Sequence, residues 1–361
     1  MTVMPSKPRK GRGAVSNPDV RYHAAQRQTI DDGWYQEEDL PFLKTTLHRD
    51  DSKSILTTNK SPDVPFDVSI NPYRGCEHGC IYCFARPTHA YLDFSPGLEF
   101  ETQLVIKPDA PQLLRQALAK KNYQCQVIAM GTNTDPYQPI EREQRITRQI
   151  LEVLNETRHP LAIVTKSALI ERDIDLLAEM ASRNLVQVMI SICTMDKEMA
   201  RTLEPRAASP QRRLQSIARL NAAGIPTGVL TAPMIPVLND PEMENILEQA
   251  ASAGAMNAGY ILLRLPLEVA PLFEEWLQTH YPLKYSHVMT RIRDTRGGGV
   301  YQNQFGLRMR GNGPFAEIIQ RRFQGACQRF GLGKRTISLD THQFMAPKPP
   351  RDQLDLFESL V

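Results

Sequence analysis

Six short apolar runs, separated by longer amphipathic stretches, dominate the chain between residues 68 and 264. The runs lie at 68–71, 127–132, 161–166, 186–192, 227–232 and 259–264. Short runs with few polar positions are typical of strands that are buried on both faces of a sheet. Because strand and helix patterns alternate, the sequence predicts an α/β fold with a parallel sheet and helices outside it.

The stretches between the runs show helical periodicity, with predicted helices at 142–157, 170–183, 210–223, 241–253 and 269–280. Ser209 precedes Pro210 as a good N-cap, and Gly224 is a good helix stop. Six strand–helix units are fewer than the eight of a closed barrel. The pattern therefore leaves two architectures, an open partial (βα)6 barrel or a doubly wound sheet.

The regions on either side of this pattern have a different character. Residues 1–55 are predicted to be a partly disordered extension whose first 20 residues form a mobile basic tail, either solubilising or binding nucleic acid. The core barrel is predicted at 56–285 and a C-terminal extension at 286–361. The extension includes an arginine-rich helix at 314–330 and a glycine-rich segment at 296–313. We expect that segment either to shape the open side of the barrel or to be a flexible surface loop.

Charge and hydropathy add little to the choice of partner. The 43 basic and 40 acidic side chains give a net charge of +3, which argues neither for nor against a nucleic-acid partner. No apolar run approaches the roughly 18 residues that would cross a membrane, and residues 1–13 have no apolar signal segment. We therefore expect a cytoplasmic protein without a membrane partner.

Three of the six cysteines, Cys76, Cys80 and Cys83, form a C-x3-C-x2-C cluster directly after the first predicted strand. Thiolates are ligands for zinc and for iron–sulfur clusters. Three cysteines leave one iron of a four-iron cluster without a protein ligand. A structural zinc site needs four ligands, and His78 or Cys125 would have to supply the fourth. Three ordinary buried cysteines are the remaining alternative.

With Tyr82 before the third cysteine, the cluster resembles the C-x3-C-x-aromatic-C motif of the radical S-adenosylmethionine (SAM) superfamily. Over residues 65–265 the chain resembles the spore photoproduct lyase-related branch, through the cysteines and the segments VTK, ISI, LEPR and AP at 164–166, 190–192, 203–206 and 232–233. The segment NPYRGCEHGCIYCFARPTHAY at 71–91 resembles a bacterial radical SAM family without an established substrate.

This resemblance implies a TIM-like partial barrel and a [4Fe–4S] cluster on the three cysteines. SAM would chelate the open iron through its amino and carboxylate groups, and its reductive cleavage would give a 5′-deoxyadenosyl radical that abstracts hydrogen from a substrate. The electron would come from a reductant such as flavodoxin or ferredoxin. A non-catalytic iron–sulfur protein for electron transfer or sensing is the alternative function.

Polar residues at the ends of the predicted strands are candidates for SAM contacts, because barrel sites lie at the carboxyl ends of the strands. Thr132, Asn133 and Asp135 are candidates for the ammonium group, Ser191 for a ribose hydroxyl, and Lys166 and Arg206 for the carboxylate. Tyr82 joins this set through the motif. We expect residues 233–236 to pack against adenine.

Two positions depart from the lyase pattern. Spore photoproduct lyase uses a cysteine just after the second strand as a hydrogen donor, and Gly131 stands at that position here. Cys193 stands where the pattern has an asparagine, and we interpret it as a small core residue rather than a redox group. Repair of the spore thymine dimer is therefore not expected. Nucleic acid is the leading substrate class, with a small molecule or a peptide as the alternatives.

Overall fold

The computed structural model describes residues 8–23, 43–334 and 337–347. Its strands are β1 (Thr46–Arg49), β2 (Leu56–Thr58), β3 (Val68–Ile70), β4 (Tyr73–Arg74), β5 (Gln103–Ile106), β6 (Ile128–Met130), β7 (Leu161–Thr165), β8 (Val186–Ser191), β9 (Thr227–Met234) and β10 (Asn257–Leu262). Its α-helices are α1 (Leu98–Thr102), α2 (Ala110–Leu118), α3 (Glu141–Gln144), α4 (Ile146–Glu156), α5 (Ile174–Ser182), α6 (Lys197–Leu203), α7 (Pro210–Ala222), α8 (Met243–Ser252), α9 (Val269–His280), α10 (Tyr285–Asp294) and α11 (Gly313–Phe330). Short 3-10 helices lie at Arg86–Leu92, Ala168–Asp173, Asp240–Glu242 and Pro282–Lys284.

The main sheet has seven strands in the order β10-β9-β8-β7-β6-β3-β2. Its six parallel strands, β3 and β6 to β10, correspond to the six predicted runs, and β2 pairs antiparallel with β3 at one edge. The parallel strands follow one another in chain order, whereas a doubly wound sheet reverses its order part-way. The partial (βα)6 barrel is therefore confirmed, with β2 and β10 as its edges among the described residues.

The helices lie close to their predicted positions, with one difference. The Ser209 hydroxyl accepts a hydrogen bond from Arg212 N at the start of α7, and Gly224 follows α7 with a φ of 77°. The predicted helix at 142–157 is divided instead into α3 and α4, because Arg145 has a φ of 52°. A single left-handed residue ends the hydrogen-bond ladder of one helix and redirects the next.

The N-terminal segment, residues 8–23, packs against the protein. Ala14, Val15 and Val20 are buried. The Leu98 amide donates to Ser16 O at 3.2 Å, and Arg21 forms an ion pair with Glu268 at 2.9 Å. The prediction of a mobile basic tail is therefore wrong for residues 8–20, because this segment buries apolar side chains. Residues 1–7 lie outside the described residues.

The C-terminal region continues the fold. The predicted boundary at residue 285 coincides with the first residue of α10. Met309 O accepts a hydrogen bond from Leu262 N at the edge strand β10. The helix α11 is fixed to the barrel by Arg322, which donates to Glu244 at 2.7 Å and contacts Asp240 at 3.2 Å. The division into three domains stays a prediction. Among the described residues, no helix has the length and apolarity to span a membrane.

Candidate functional site

The cysteine loop, residues 76–83, follows β3 and β4 at the carboxyl end of the sheet. Its backbone is held from three sides. The Cys76 amide donates to Phe100 O at 3.0 Å, and the Ile81 amide donates to Leu203 O at 3.1 Å. The Glu77 amide donates to the Gln138 side chain at 2.8 Å. The loop therefore takes its shape from its surroundings.

A buried carboxylate fastens this loop to the N-terminal segment. Glu101 is fully buried and accepts hydrogen bonds from Arg86 at 2.6 Å, from the Ala14 amide at 2.8 Å and from the Gly13 amide at 3.1 Å. Arg86, also fully buried, donates to Gly79 O in the cysteine loop at 3.1 Å. One charge pair thus connects segments that are distant in the sequence.

The three thiols fit the implied iron–sulfur cluster. Cys76 and Cys80 are buried, Cys83 is partly buried, and none forms a disulfide. Burial raises the pKa of Cys80 to about 12, although the charge of Lys166 opposes this, and burial also raises the pKa of Cys76 well above its usual value. Such thiols are neutral in the absence of metal, and bound iron would take the place of their protons.

The zinc alternative has weaker support. His78 Nδ1 lies 3.3 Å from the Asp135 carboxylate, and Cys125 precedes β6, at the end of the sheet opposite the loop. The Nδ1 atom of His78 thus faces a carboxylate, and Cys125 lies far from the three thiols.

A cavity of about 480 Å³ opens beside the loop, at the carboxyl ends of the parallel strands. Five of the seven predicted SAM residues line it: Tyr82, Thr132, Asn133, Lys166 and Ser191. Ala232 and Pro233, near the end of β9, also line it, so the predicted apolar turn at 233–236 begins inside this strand. The topology therefore brings together residues from five separate loops and strand ends, although the role of each stays a prediction.

Lys166 dominates the charge in the inner part of the cavity. Its Nζ lies 5.9 Å from the centre of the Tyr82 ring and forms no ion pair with the described residues. Burial alone would lower the pKa of Lys166, but Cys80, Glu204 and Asp135 together raise it above its usual value. The ammonium is therefore charged and available for an anionic ligand group.

The other two predicted SAM residues lie elsewhere. Asp135 accepts hydrogen bonds from Lys166 N and from the Thr165 hydroxyl, both at 2.7 Å, so it holds the strand end that carries Lys166. Burial opposes its charge, but His78 and these hydrogen bonds hold its pKa at about 2. Arg206 forms an ion pair with Glu77 at 3.1 Å and does not line the cavity. Both residues support the cysteine loop in this structure.

Gly131 has a conformation that excludes a side chain. Its φ is 88°, and a Cβ at this position would lie 1.9 Å from Val164 O. A cysteine therefore does not fit here without movement of the neighbouring strand. Cys193 is buried, with its Sγ 3.4 Å from the Glu204 carboxylate, in agreement with a core position. Tyr82 also donates its hydroxyl to Glu204, which directs that hydroxyl away from the cavity.

The outer part of the cavity contains residues that the sequence did not single out. They are Phe84 after the third cysteine, Arg264 after β10, Arg308 and Met309 from the glycine-rich region, and Thr57 and Thr58 from β2. The expectation that residues 296–313 shape the open side of the barrel is thus met at Arg308 and Met309. The position of Arg264 at a strand end was the one signal available in the sequence.

A family model described as the radical SAM superfamily matches residues 70–250, half of the chain. The chain belongs to the radical SAM superfamily. An uncharacterized protein of Mycobacterium tuberculosis is 38% identical over 261 residues, which cover 71% of this chain and 75% of that protein. An uncharacterized protein of Methanocaldococcus jannaschii is 28% identical over 240 residues, covering 66% of this chain and 85% of that protein.

Solved structures of spore photoproduct lyase share the fold. The complex with dinucleoside spore photoproduct has a TM-score of 0.56 at 15% identity, covering 79% of this chain and 80% of that chain. A mutant with bound AdoMet and dinucleoside spore photoproduct has a TM-score of 0.52 at 15% identity, covering 76% and 78%. This chain is therefore a radical SAM enzyme that shares the fold of these lyases, and its family implies SAM and an iron–sulfur cluster.

Proposed function

We propose that the protein binds a [4Fe–4S] cluster through Cys76, Cys80 and Cys83 and cleaves SAM in the adjacent cavity. When bound, these groups supply a 5′-deoxyadenosyl radical that abstracts hydrogen from a substrate. The observation that carries this proposal is the charged Lys166, which lies in a cavity beside the cysteine loop and forms no ion pair within the described part of the chain. Four further predicted SAM residues line the same cavity.

Each part of the cavity has a distinct task in this proposal. Lys166 binds the SAM carboxylate, and Asp135 fixes the backbone from which Lys166 projects. The Ser191 side chain is available to a ribose hydroxyl, although its Oγ also lies 3.3 Å from Ala232 O. Pro233, with Ala232 beside it, lines the cavity as an apolar surface for the adenine ring. Thr132 and Asn133 face the ammonium end.

The substrate we favour is nucleic acid, since the related solved structures hold a dinucleoside photoproduct. The arginine-rich helix α11 adds less support than the sequence indicated, because Arg322 is occupied by Glu244 and Asp240. Binding to DNA or RNA should weaken steeply with added salt, because phosphate neutralisation releases counterions. Binding that is undetectable or insensitive to salt would favour a small molecule or a peptide. Flavodoxin or ferredoxin as the reductant, and a cytoplasmic location, stay predictions.

The cluster is tested by iron analysis after anaerobic reconstitution. We expect about four irons and four sulfides per chain, the content of a cubane cluster. Simultaneous replacement of Cys76, Cys80 and Cys83 by Ala should abolish this content, and Cys125→Ala is the control that should retain it. Stoichiometric zinc without iron–sulfur absorption would refute the cluster.

SAM cleavage is tested with dithionite as the reductant. The reconstituted protein should form methionine and 5′-deoxyadenosine even without substrate, which an electron-transfer protein would not do. Lys166→Ala should weaken SAM binding roughly tenfold to a hundredfold, because a charge-assisted hydrogen bond contributes about 1.5–3 kcal/mol. An unchanged affinity in this variant would remove Lys166 from the SAM site.

A further inference from the structure

The outer cavity, defined by Phe84, Arg264, Arg308 and Thr57–Thr58, is separate from the predicted SAM contacts but continuous with them. The two residues next to Cys83 in the sequence, Tyr82 and Phe84, each have a cationic side chain near their ring. Lys166 lies against Tyr82 on the inner side, and the Arg264 guanidinium lies 5.0 Å from the centre of the Phe84 ring on the outer side. The cavity thus has a second cationic end.

Arg264 forms no ion pair with an acidic side chain among residues 8–23, 43–334 and 337–347. Its Nε is buried without a hydrogen-bond partner, and its Nη1 contacts only the Met309 sulfur, at 3.3 Å. A half-buried guanidinium without a counter-charge favours an anionic ligand, and the planar fork of arginine suits an oxyanion.

The surroundings of Arg264 increase this excess of positive charge. Arg296 is buried behind it and donates only to carbonyl oxygens, those of Leu262, Leu263, Leu307 and Arg308. Burial, together with the charge of Arg264, lowers the pKa of Arg296 to about 10. The nearby carboxylate of Asp63 is occupied by Arg308 and by the Gly306 amide. In the described part of the chain, Asp63 is the carboxylate near Arg264 and Arg308, and its ion pair with Arg308 leaves Arg264 without a counter-charge.

We infer that the outer cavity binds a phosphate group of the substrate through Arg264, an inference that rests on the proposed function. Phosphate fits better than a carboxylate for two reasons. It carries more acceptor oxygens and more charge, and the polar residues Thr57, Thr58, Asn59 and Ser61 line the same cavity. The exposed Phe84 ring beside Arg264 offers a flat apolar surface to the rest of the substrate.

The test uses inorganic phosphate as the probe, with the reconstituted protein saturated with SAM so that Lys166 is occupied. Phosphate binding is followed by 31P NMR line broadening. We expect millimolar binding to the unchanged protein, at least tenfold weaker binding to Arg264→Gln, and partial retention in Arg264→Lys. The control is Arg321→Gln, which removes the same charge from an exposed helix position paired with Glu317 and should leave binding unchanged.

Three further arms complete the test. Acetate should bind more weakly than phosphate, and stronger Arg264-dependent binding of acetate would overturn the assignment to phosphate. Thymidine 5′-monophosphate and a short single-stranded oligothymidylate then compete with inorganic phosphate. If the mononucleotide displaces phosphate at the lower concentration, the phosphate group belongs to a small-molecule substrate. If the oligothymidylate does so, the phosphate group belongs to a nucleic acid. Displacement by neither compound would reduce the site to an inorganic-anion site and overturn the inference.

Failure here is distinguishable from failure of the proposed function. If the unchanged protein cleaves SAM but Arg264→Gln binds phosphate as well as the unchanged protein, the phosphate site is wrong and the radical SAM activity stands. If phosphate binds through Arg264 but SAM is not cleaved, the proposed function is wrong and the anion site stands.

Discussion

The buried carboxylate of Glu101 provides a sharp test of how the cysteine loop is held. Glu101→Gln retains the shape of the side chain but removes its charge from beside Arg86, and both side chains are fully buried. It also places a donor amide group opposite the Gly13 or Ala14 amide, each of which now donates to a carboxylate oxygen. The substitution therefore leaves a buried guanidinium without its counter-charge and a backbone amide without its acceptor.

We expect this substitution to lower the free energy of unfolding by about 3 kcal/mol. Breaking a buried ion pair by removing one charge costs about 3–5 kcal/mol. The lower end applies because Arg86 keeps its hydrogen bonds to the carbonyl oxygens of Cys80, Pro96 and Gly97. Urea titration under anaerobic conditions measures the change, and iron content per chain should fall in parallel, because Arg86 also holds the Gly79 carbonyl of the cysteine loop.

The matched control is Glu317→Gln on α11. Glu317 pairs with Arg321 at 3.3 Å, but the two side chains are 62% and 75% exposed. An exposed pair of this kind contributes less than about 1 kcal/mol. If Glu101→Gln is no more destabilising than Glu317→Gln, the buried pair does not hold the cysteine loop, and the reasoning is refuted.

Two further predictions concern stability. Gly131→Ala should destabilise the fold by at least about 3 kcal/mol, because the new Cβ clashes with Val164 O. The control is Gly224→Ala, which has a similar positive φ but no atom within 4 Å of the new Cβ and should cost only about 1 kcal/mol. Equal losses of stability in urea titrations of the two variants would contradict the clash. Burial lowers the pKa of His159 to about 4, below its value of about 6.5 in an unfolded chain. The unfolded state therefore takes up the proton first, and stability should fall by about 1.4 kcal/mol per pH unit between pH 6.5 and 4. His159→Gln should flatten the measured dependence, and an unchanged slope would exclude this histidine.

The parallel strands were predictable because each carries its own evidence. The run at 127–132 becomes β6, with Ile128, Ala129 and Met130 all buried. A strand that is buried on both faces needs no knowledge of its neighbours to be recognised. The short elements outside the barrel, such as β1 and β4, were not predicted, because their pairing with β5 depends on contacts between distant segments.

The N-terminal segment was mispredicted for a related reason. Its basic and polar composition indicated a mobile tail, yet Arg12 is buried and donates to Glu101 O at 2.9 Å. Gly13 lies so close to the cysteine loop that a Cβ there would be 1.8 Å from Gly79 O. The Gly13 amide donates a hydrogen bond to the carboxylate of Glu101, 88 residues further along the chain. Local composition contains no information about such a distant partner.

The predicted site residues divide according to the kind of evidence that indicated them. Lys166 and Ser191 end adjacent strands, and parallel strands bring their carboxyl ends to one edge, so topology alone predicts that these residues meet at the cavity. Arg206 follows α6 in a loop whose direction no strand fixes, and it pairs with Glu77 instead. The sheet fixes the positions of Lys166 and Ser191, whereas a loop carries Arg206. A position at a strand end is therefore the better guide to a barrel site. Arg264 meets the same criterion at the end of β10, which supports its assignment to the substrate side of this cavity.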